Sequence, residues 1–547
     1  MVQLTAASCI LLLTAAVTAV NAVALGHPAR PHKHDQLSVS TTSGRVHGKI
    51  DAAFPNVRQF LGIPFAKPPT GSRRWLAPQA LSHSKGHVEA TELPPSCPQF
   101  LTPSGSDVYT NDVLEFNLAG LNETGPTSED CLTISIWTPT LESGTKTSYQ
   151  DPNCTENKEA DSSNLLPVLI YIYGGSFKTG GQNVPYQIPT QFVSRTSSHL
   201  VVSFNYRVNL FGFPFASSLP DQNLGLLDQR LAIQWVQQNI RAFGGDPERM
   251  VLWGQSAGAV SVDFYGFTYP EDPIVKGLIM DSGTSFLSVQ AGRDAPLPGD
   301  NTGANFTTVA EGVGCTGLGE ETLECMRGVD WKVLESFVAN YSRSGQQPAL
   351  TFGAAADGKV VFGNYTERAL EGGQAKIPAI IGTNAQDGVP FAPYNPDGVN
   401  VATANGVTLA AFFCPATETT RLRQETSRLT YRYLYSGNFT NISPRGWMGA
   451  WHSAELPLVF GTHPNYRGNS TELEYQTSHA MQDAWVAFAN DPVNGLASVG
   501  WQPYEERGSA TVREFGAGVA AQDIDVKATE AMCDGAVPKA SSRTPDQ

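Results

Sequence analysis

Short, almost uninterrupted apolar runs recur along the chain at residues 166–173, 200–205, 250–254, 277–281 and 377–381. Runs of strand length without polar alternation predict strands buried on both faces, as in a mostly parallel sheet. Between the second and third runs, residues 225–243 carry helical spacing, so the order strand, helix, strand predicts an α/β class. Nearer the start, residues 39–48 read as two short alternating runs, an opening hairpin. Residues 60–69 carry Pro64, Pro68 and Pro69 and must be extended rather than helical. The 547 residues show no internal repeat and no linker of convincing length. One large domain over residues 38–535 is expected, with a flexible segment at 23–37 and a flexible tail at 536–547.

Charge narrows the partners. With 51 acidic against 36 basic residues the net charge is −15, which opposes nucleic-acid and anionic-membrane binding, since both require clustered Lys and Arg. Residues 4–22 are apolar and small, and Val20-Asn21-Ala22 offers a cleavage site, so residues 1–22 read as a secretory signal despite lacking a leading Lys or Arg. No later stretch has the length to span a bilayer, so a secreted chain with no stable membrane anchor is expected. Eight Asn-x-Ser/Thr sequons agree with that route: Asn122, Asn153, Asn305, Asn340, Asn364, Asn438, Asn441 and Asn469. Seven cysteines remain after the signal, and spacing alone does not choose their pairing. A polar insertion at 142–164, holding Cys154, reads as a surface loop.

The apolar run at 250–254 ends in Gly254-Gln255-Ser256-Ala257-Gly258 and opens into a small-residue stretch. Gly-x-Ser-x-Gly at the end of a strand predicts a sharp turn into a helix with the serine at its apex. A hydroxyl is a poor nucleophile and must be held clear of the backbone, near a base and beside helix N-terminal amides. Taken alone the motif is equally an ordinary Gly-Ser turn. A second element changes the balance: the run at 166–173 delivers Gly174-Gly175-Ser176, consecutive small residues whose N–H groups can converge on one point. Glu129-Asp130-Cys131-Leu132 then leads into the β-branched run 133–139.

These three stretches, in the chain order 129–132, 174–176 and 254–258, resemble the type-B carboxylesterase/lipase family, and the likeness runs from about residue 38 to about residue 533. The resemblance implies an α/β-hydrolase fold, a doubly wound, mostly parallel sheet with helices on both faces and a lid-like disulfide loop. It implies Ser256 as nucleophile, and Gly175, Ser176 and Ala257 as oxyanion-hole donors. The acid and base follow the nucleophile in this fold, which points to Asp387, in Asn384-Ala385-Gln386-Asp387-Gly388, and to His452, in Trp451-His452-Ser453-Ala454-Glu455. His463 and His479 lack matching context. Ser282, after the run at 277–281, is implied as a hydrogen-bonding support. The implied disulfides are Cys97–Cys131, Cys315–Cys325 and Cys414–Cys533, leaving Cys154 without a partner.

The implied activity is hydrolysis of uncharged, hydrophobic carboxylic esters, small-molecule or lipid, through an acyl-enzyme with no metal and no cofactor. Acyl transfer to an alcohol by the same triad is the alternative, and a non-catalytic adhesion protein a third, though such relatives lose triad members. The 97–131 loop holds no Trp, and Gln255 stands where cholinesterases carry a glutamate, so a quaternary-ammonium substrate is not expected. The loop's apolar residues, among them Phe100, Tyr109 and Phe116, suit either a movable flap or simple packing on the body.

Overall fold

The computed structural model describes residues 36–100, 108–113, 127–140, 165–287, 302–465, 467–505 and 511–533. The signal segment, the polar insertion with Asn153 and Cys154, Asn122, and the C-terminal tail lie outside them. By contacts the chain divides between Gln36 and Leu37, and the following concerns the larger unit.

Fourteen strands are described. β1 (Ser38–Thr41) and β2 (Gly44–His47) form the antiparallel opening hairpin, and β5 (His87–Glu89) extends it into a small sheet. The main sheet holds β3 (Lys49–Ile50), β4 (Val57–Pro64), β6 (Thr133–Pro139), β7 (Leu166–Ile172), β8 (Leu200–Phe204), β9 (Gly245–Gln255), β10 (Gly277–Asp281), β11 (Ala379–Asn384), β12 (Thr430–Tyr435), β13 (Thr511–Phe515) and β14 (Ala521–Asp525). Its spatial order is β14-β13-β12-β11-β10-β9-β7-β8-β6-β4-β3. From β8 across to β13 every pairing is parallel, and antiparallel strands close both ends.

β8, β10 and β11 are buried along their whole length, which explains their unbroken apolar runs. β9 begins five residues before the apolar run that marks it. Its polar stretch Gly245–Arg249 is recruited because Gly245 pairs with Leu166 of β7 beyond a register shift, so the neighbouring strand overrides local polarity.

The helix α1 (Leu224–Asn239) fills the expected crossover between β8 and β9. α2 (Ala257–Thr268) leaves β9 through a single residue, and α3 (Trp331–Arg343) and α4 (Glu472–Asn490) follow. Under the sheet an aromatic core forms where Trp253 stacks on Phe460, ring centroids 4.8 Å apart, and meets Tyr171 at 4.6 Å. Chain order reverses around β7, whose two neighbours are β8 and β9. In open α/β sheets a crevice opens at such a switch point, beyond the strands' carboxyl ends.

Disulfides join Cys97 to Cys131, Cys315 to Cys325 and Cys414 to Cys533. Among the described residues no helix is long and apolar enough to cross a membrane.

Candidate active site

Ser256 occupies the one-residue turn between β9 and α2, with φ 56° and ψ −124°. A serine in this strained region persists only where its surroundings over-determine it. Here its amide donates to the Asp281 carbonyl at 2.8 Å, and glycines flank it because nothing larger fits. A Cβ on Gly254 would stand 2.4 Å from the Gly258 backbone, and one on Gly258 would stand 2.0 Å from the Ile172 carbonyl. Strand, turn and helix are thus pressed together so that the hydroxyl faces the crevice.

The remaining groups arrive from the next strands in order. β11 is followed by a turn that carries Asp387, fully buried, and the segment after β12 carries His452, which is 2% exposed. His452 Nδ1 lies 2.8 Å from Asp387 Oδ1. The other carboxylate oxygen accepts from Ser282 Oγ at 2.9 Å and from the Asn384 amide at 2.8 Å. With both oxygens engaged, by three donors in all, the carboxylate is held against rotation, and so is the imidazole it holds. Ser282 therefore acts as the support expected of it.

His452 Nε2 faces the crevice, 3.2 Å from Gln255 Nε2. Given Nδ1–H directed at Asp387, Nε2 is the acceptor and the Gln255 amide donates to it. Phe391 and Phe412 flank the ring, with centroids 5.2 and 4.6 Å from the imidazole, and Tyr109 donates its hydroxyl to the His452 carbonyl at 3.2 Å. None of these contacts is legible in the sequence, because each joins segments whose separation carries no periodicity. His463 and His479 stand apart from this group. His463 is buried against Ser470 and Glu474, and His479 lies within α4.

Two further acids pack behind the site. Asp281 accepts from Trp253 Nε1 at 2.5 Å and from the Tyr433 hydroxyl at 2.8 Å, and burial pushes its carboxyl up to about 7. Glu455, bonded to Asn384, is held well above the usual carboxylate range by burial and then by the neighbouring Asp281.

Ser256 and His452 line one cleft of about 350 Å³, together with Gly174, Gly175, Ser176, Tyr109, Phe100, Phe352 and Phe391. Gly175 (φ 110°) and Ser176 (φ 56°) take left-handed conformations after β7, and a Cβ on Gly175 would collide with the Thr179 carbonyl at 2.2 Å. Among the described residues the amides of Gly175, Ser176 and Ala257 donate to no protein acceptor. Three unspent N–H groups beside a strained serine suit an oxygen that gains negative charge.

The described sequons fall into two groups. Asn340, Asn364, Asn438 and Asn469 are exposed. Asn305 and Asn441 are buried, and their Nδ2 atoms donate to Thr351 at 2.9 Å and to Glu474 at 2.9 Å. A glycan on either would have to break these bonds, so at these two positions the folded structure opposes the expected modification.

A model of the carboxylesterase family matches residues 35–406 and 399–522. The chain belongs to the carboxylesterase family. Chlorogenic acid esterase of Aspergillus niger is 44% identical over 478 residues, spanning 87% of this chain and 86% of that protein. Secreted lipase 5 of Gibberella zeae is 40% identical over 492 residues, spanning 86% and 88%. Among solved structures, a thermophilic PNB esterase at 24% identity covers 92% of this chain and all of its own, with a TM-score of 0.72, and so shares the fold. This carboxylesterase is accordingly a carboxylic ester hydrolase by family, and its sheet is the α/β-hydrolase sheet.

Proposed function

We propose that this carboxylesterase works by a Ser256-His452-Asp387 triad through an acyl-enzyme, and that it does so as a secreted protein. The observation that carries the reading is the 2.8 Å contact from the buried Asp387 to His452, whose other nitrogen faces the cleft that Ser256 lines. The Ser256 hydroxyl replaces the Gln255 amide at His452 Nε2, which takes the serine proton as Oγ bonds to the ester carbonyl carbon, and the carbonyl oxygen becomes an alkoxide held by the amides of Gly175, Ser176 and Ala257. The alkoxide collapses, the C–O bond to the alcohol breaks, and the imidazolium hands the alcohol its proton. Water then repeats the cycle on the acyl-serine and releases the acid. Asp387 holds the imidazole tautomer throughout and stabilises the imidazolium that forms.

For substrate, the aromatic wall of Phe100, Tyr109, Phe352 and Phe391 supports a hydrophobic or aromatic acyl group. The relatives named for chlorogenic acid and for lipase activity support the same range.

The test is Ser256→Ala against p-nitrophenyl esters of increasing chain length and emulsified triglyceride, each with and without added alcohol. Loss of turnover by a factor on the order of 10⁶ with unchanged unfolding supports the reading. Unchanged hydrolysis overturns it, and dominant alcoholysis by the intact protein would make it a transferase instead.

A further inference from the structure

Among the described residues lining the cleft there is no Asp or Glu, and Lys178 is the one Lys or Arg. It follows directly from the turn that presents the unspent amides, and its own amide donates to the Gly175 carbonyl at 2.9 Å, which fixes its backbone beside them. The arginines Arg74, Arg207 and Arg230 are each matched to a carboxylate, at 2.6, 2.7 and 2.5 Å. No described residue offers the Lys178 ammonium a hydrogen bond or an ion pair, in a chain where acidic residues outnumber basic ones. Its side chain is exposed to solvent at the cleft, and the surrounding protein lowers its pKa through desolvation, with no anion among the described residues to offset the loss.

A second polar group lining the cleft is also unspent. Gln187 is 8% exposed, and its Nε2 donates to the Tyr186 hydroxyl at 2.8 Å. Its Oε1 is buried without a hydrogen-bond partner among the described residues. Buried acceptors are normally satisfied, so this oxygen is available to a donor elsewhere on a bound ester. An aromatic lining with one free cation and one free acceptor is a poor match for a plain hydrocarbon chain.

We propose that the cleft selects esters that carry a free carboxylate in addition to the scissile bond, with the Lys178 ammonium as its counter-ion. This deepens the hydrolase reading and rests on it, and it replaces the expectation of uncharged esters. The contact is partly wet, so it acts mainly through KM and weakens as salt rises.

The test uses two matched pairs. One places the charge on the alcohol fragment, O-phenylacetyl lactate against O-phenylacetyl lactamide. The other places it on the acyl fragment, methyl 4-carboxyphenylacetate against its 4-carbamoyl analogue. The intact protein should favour the anion in one pair by roughly tenfold in kcat/KM at low salt, and the pair that responds tells which fragment bears the charge. Lys178→Met should abolish that ratio, Lys178→Arg should retain it and Lys178→Glu should invert it, each read against the neutral partner as an internal standard of folded enzyme. Ratios identical in the intact protein and Lys178→Met would overturn the proposal, while Ser256-dependent turnover of the neutral esters would leave the hydrolase reading standing. If Ser256→Ala hydrolyses the neutral esters as fast as the intact protein, both readings fail.

Discussion

Two glycines of α2 should respond in opposite directions to the same added methyl group. At Gly258 a Cβ would stand 2.0 Å from the Ile172 carbonyl oxygen and 2.9 Å from that of Tyr173, both rigid backbone at the end of β7. Restoring ordinary contact at 3.4 Å would require a displacement of about 1.4 Å between helix and strand. That motion separates the Ala257 amide from those of Gly175 and Ser176. Overpacking of this kind costs about 1–3 kcal/mol, and a displacement near 1 Å in an active site can cost on the order of 10²-fold in turnover. At Gly266, eight residues on, the nearest atom is the Leu278 Cδ1 at 3.4 Å, so Ala should fit and add about 0.8–1 kcal/mol through helix propensity. Urea unfolding and kcat on a short-chain p-nitrophenyl ester measure both variants. Gly258→Ala should be destabilised and slowed, and Gly266→Ala stabilised with normal turnover. Equal stability and equal turnover in the two would refute the claim that close packing of α2 on β7 builds the site.

Other expectations follow from the acids, the amide against the imidazole, and the sequons. Asp281 holds its proton to about pH 7 in the fold, against an ordinary 3.8. The unfolded chain therefore releases that proton first, and stability is lost as pH rises between these values, by up to about 1.4 kcal/mol per pH unit from this one group. Asp281→Asn removes the effect, so its stability relative to the parent should climb across pH 4–7 and level off above; a flat difference in urea titrations contradicts this. Gln255→Glu places a carboxylate on the cleft beside Ser256, and turnover of a choline ester relative to its neutral carbon isostere should rise several-fold, while an unchanged ratio would show that position 255 does not set the preference. Glycopeptide mapping of protein secreted from a eukaryotic host should find Asn441 and Asn305 unmodified, since both amides are buried and bonded, and a glycan on Asn441 would contradict the packing around Glu474.

The elements legible in the sequence are those where sterics or burial leaves little choice of residue. Gly254 and Gly258 stand out because the approach of strand and helix admits no side chain, and β7, β8, β10 and β11 stand out because both faces are covered. Asp387 and His452 could be found only through chain order and likeness to a family, since an Asp-Gly and a lone His carry no local mark of their pairing across 65 positions. What stayed hidden depends on contacts between distant segments: the extra length of β9, supplied by pairing with Leu166; the Gln255 amide against His452; and the exposure of Lys178 to the cleft. Burial of Asn441 is likewise invisible in a sequon, which specifies three residues and nothing of their surroundings.

The most direct measurement is to treat the folded protein with a fluorophosphonate ester, digest it and locate the adduct by mass spectrometry. A single phosphonylated residue, Ser256, is expected, with labelling slowed sharply in His452→Ala and absent in Ser256→Ala. Equal labelling in the Ser256→Ala protein, or an adduct on another residue with Ser256 unmodified, would contradict it.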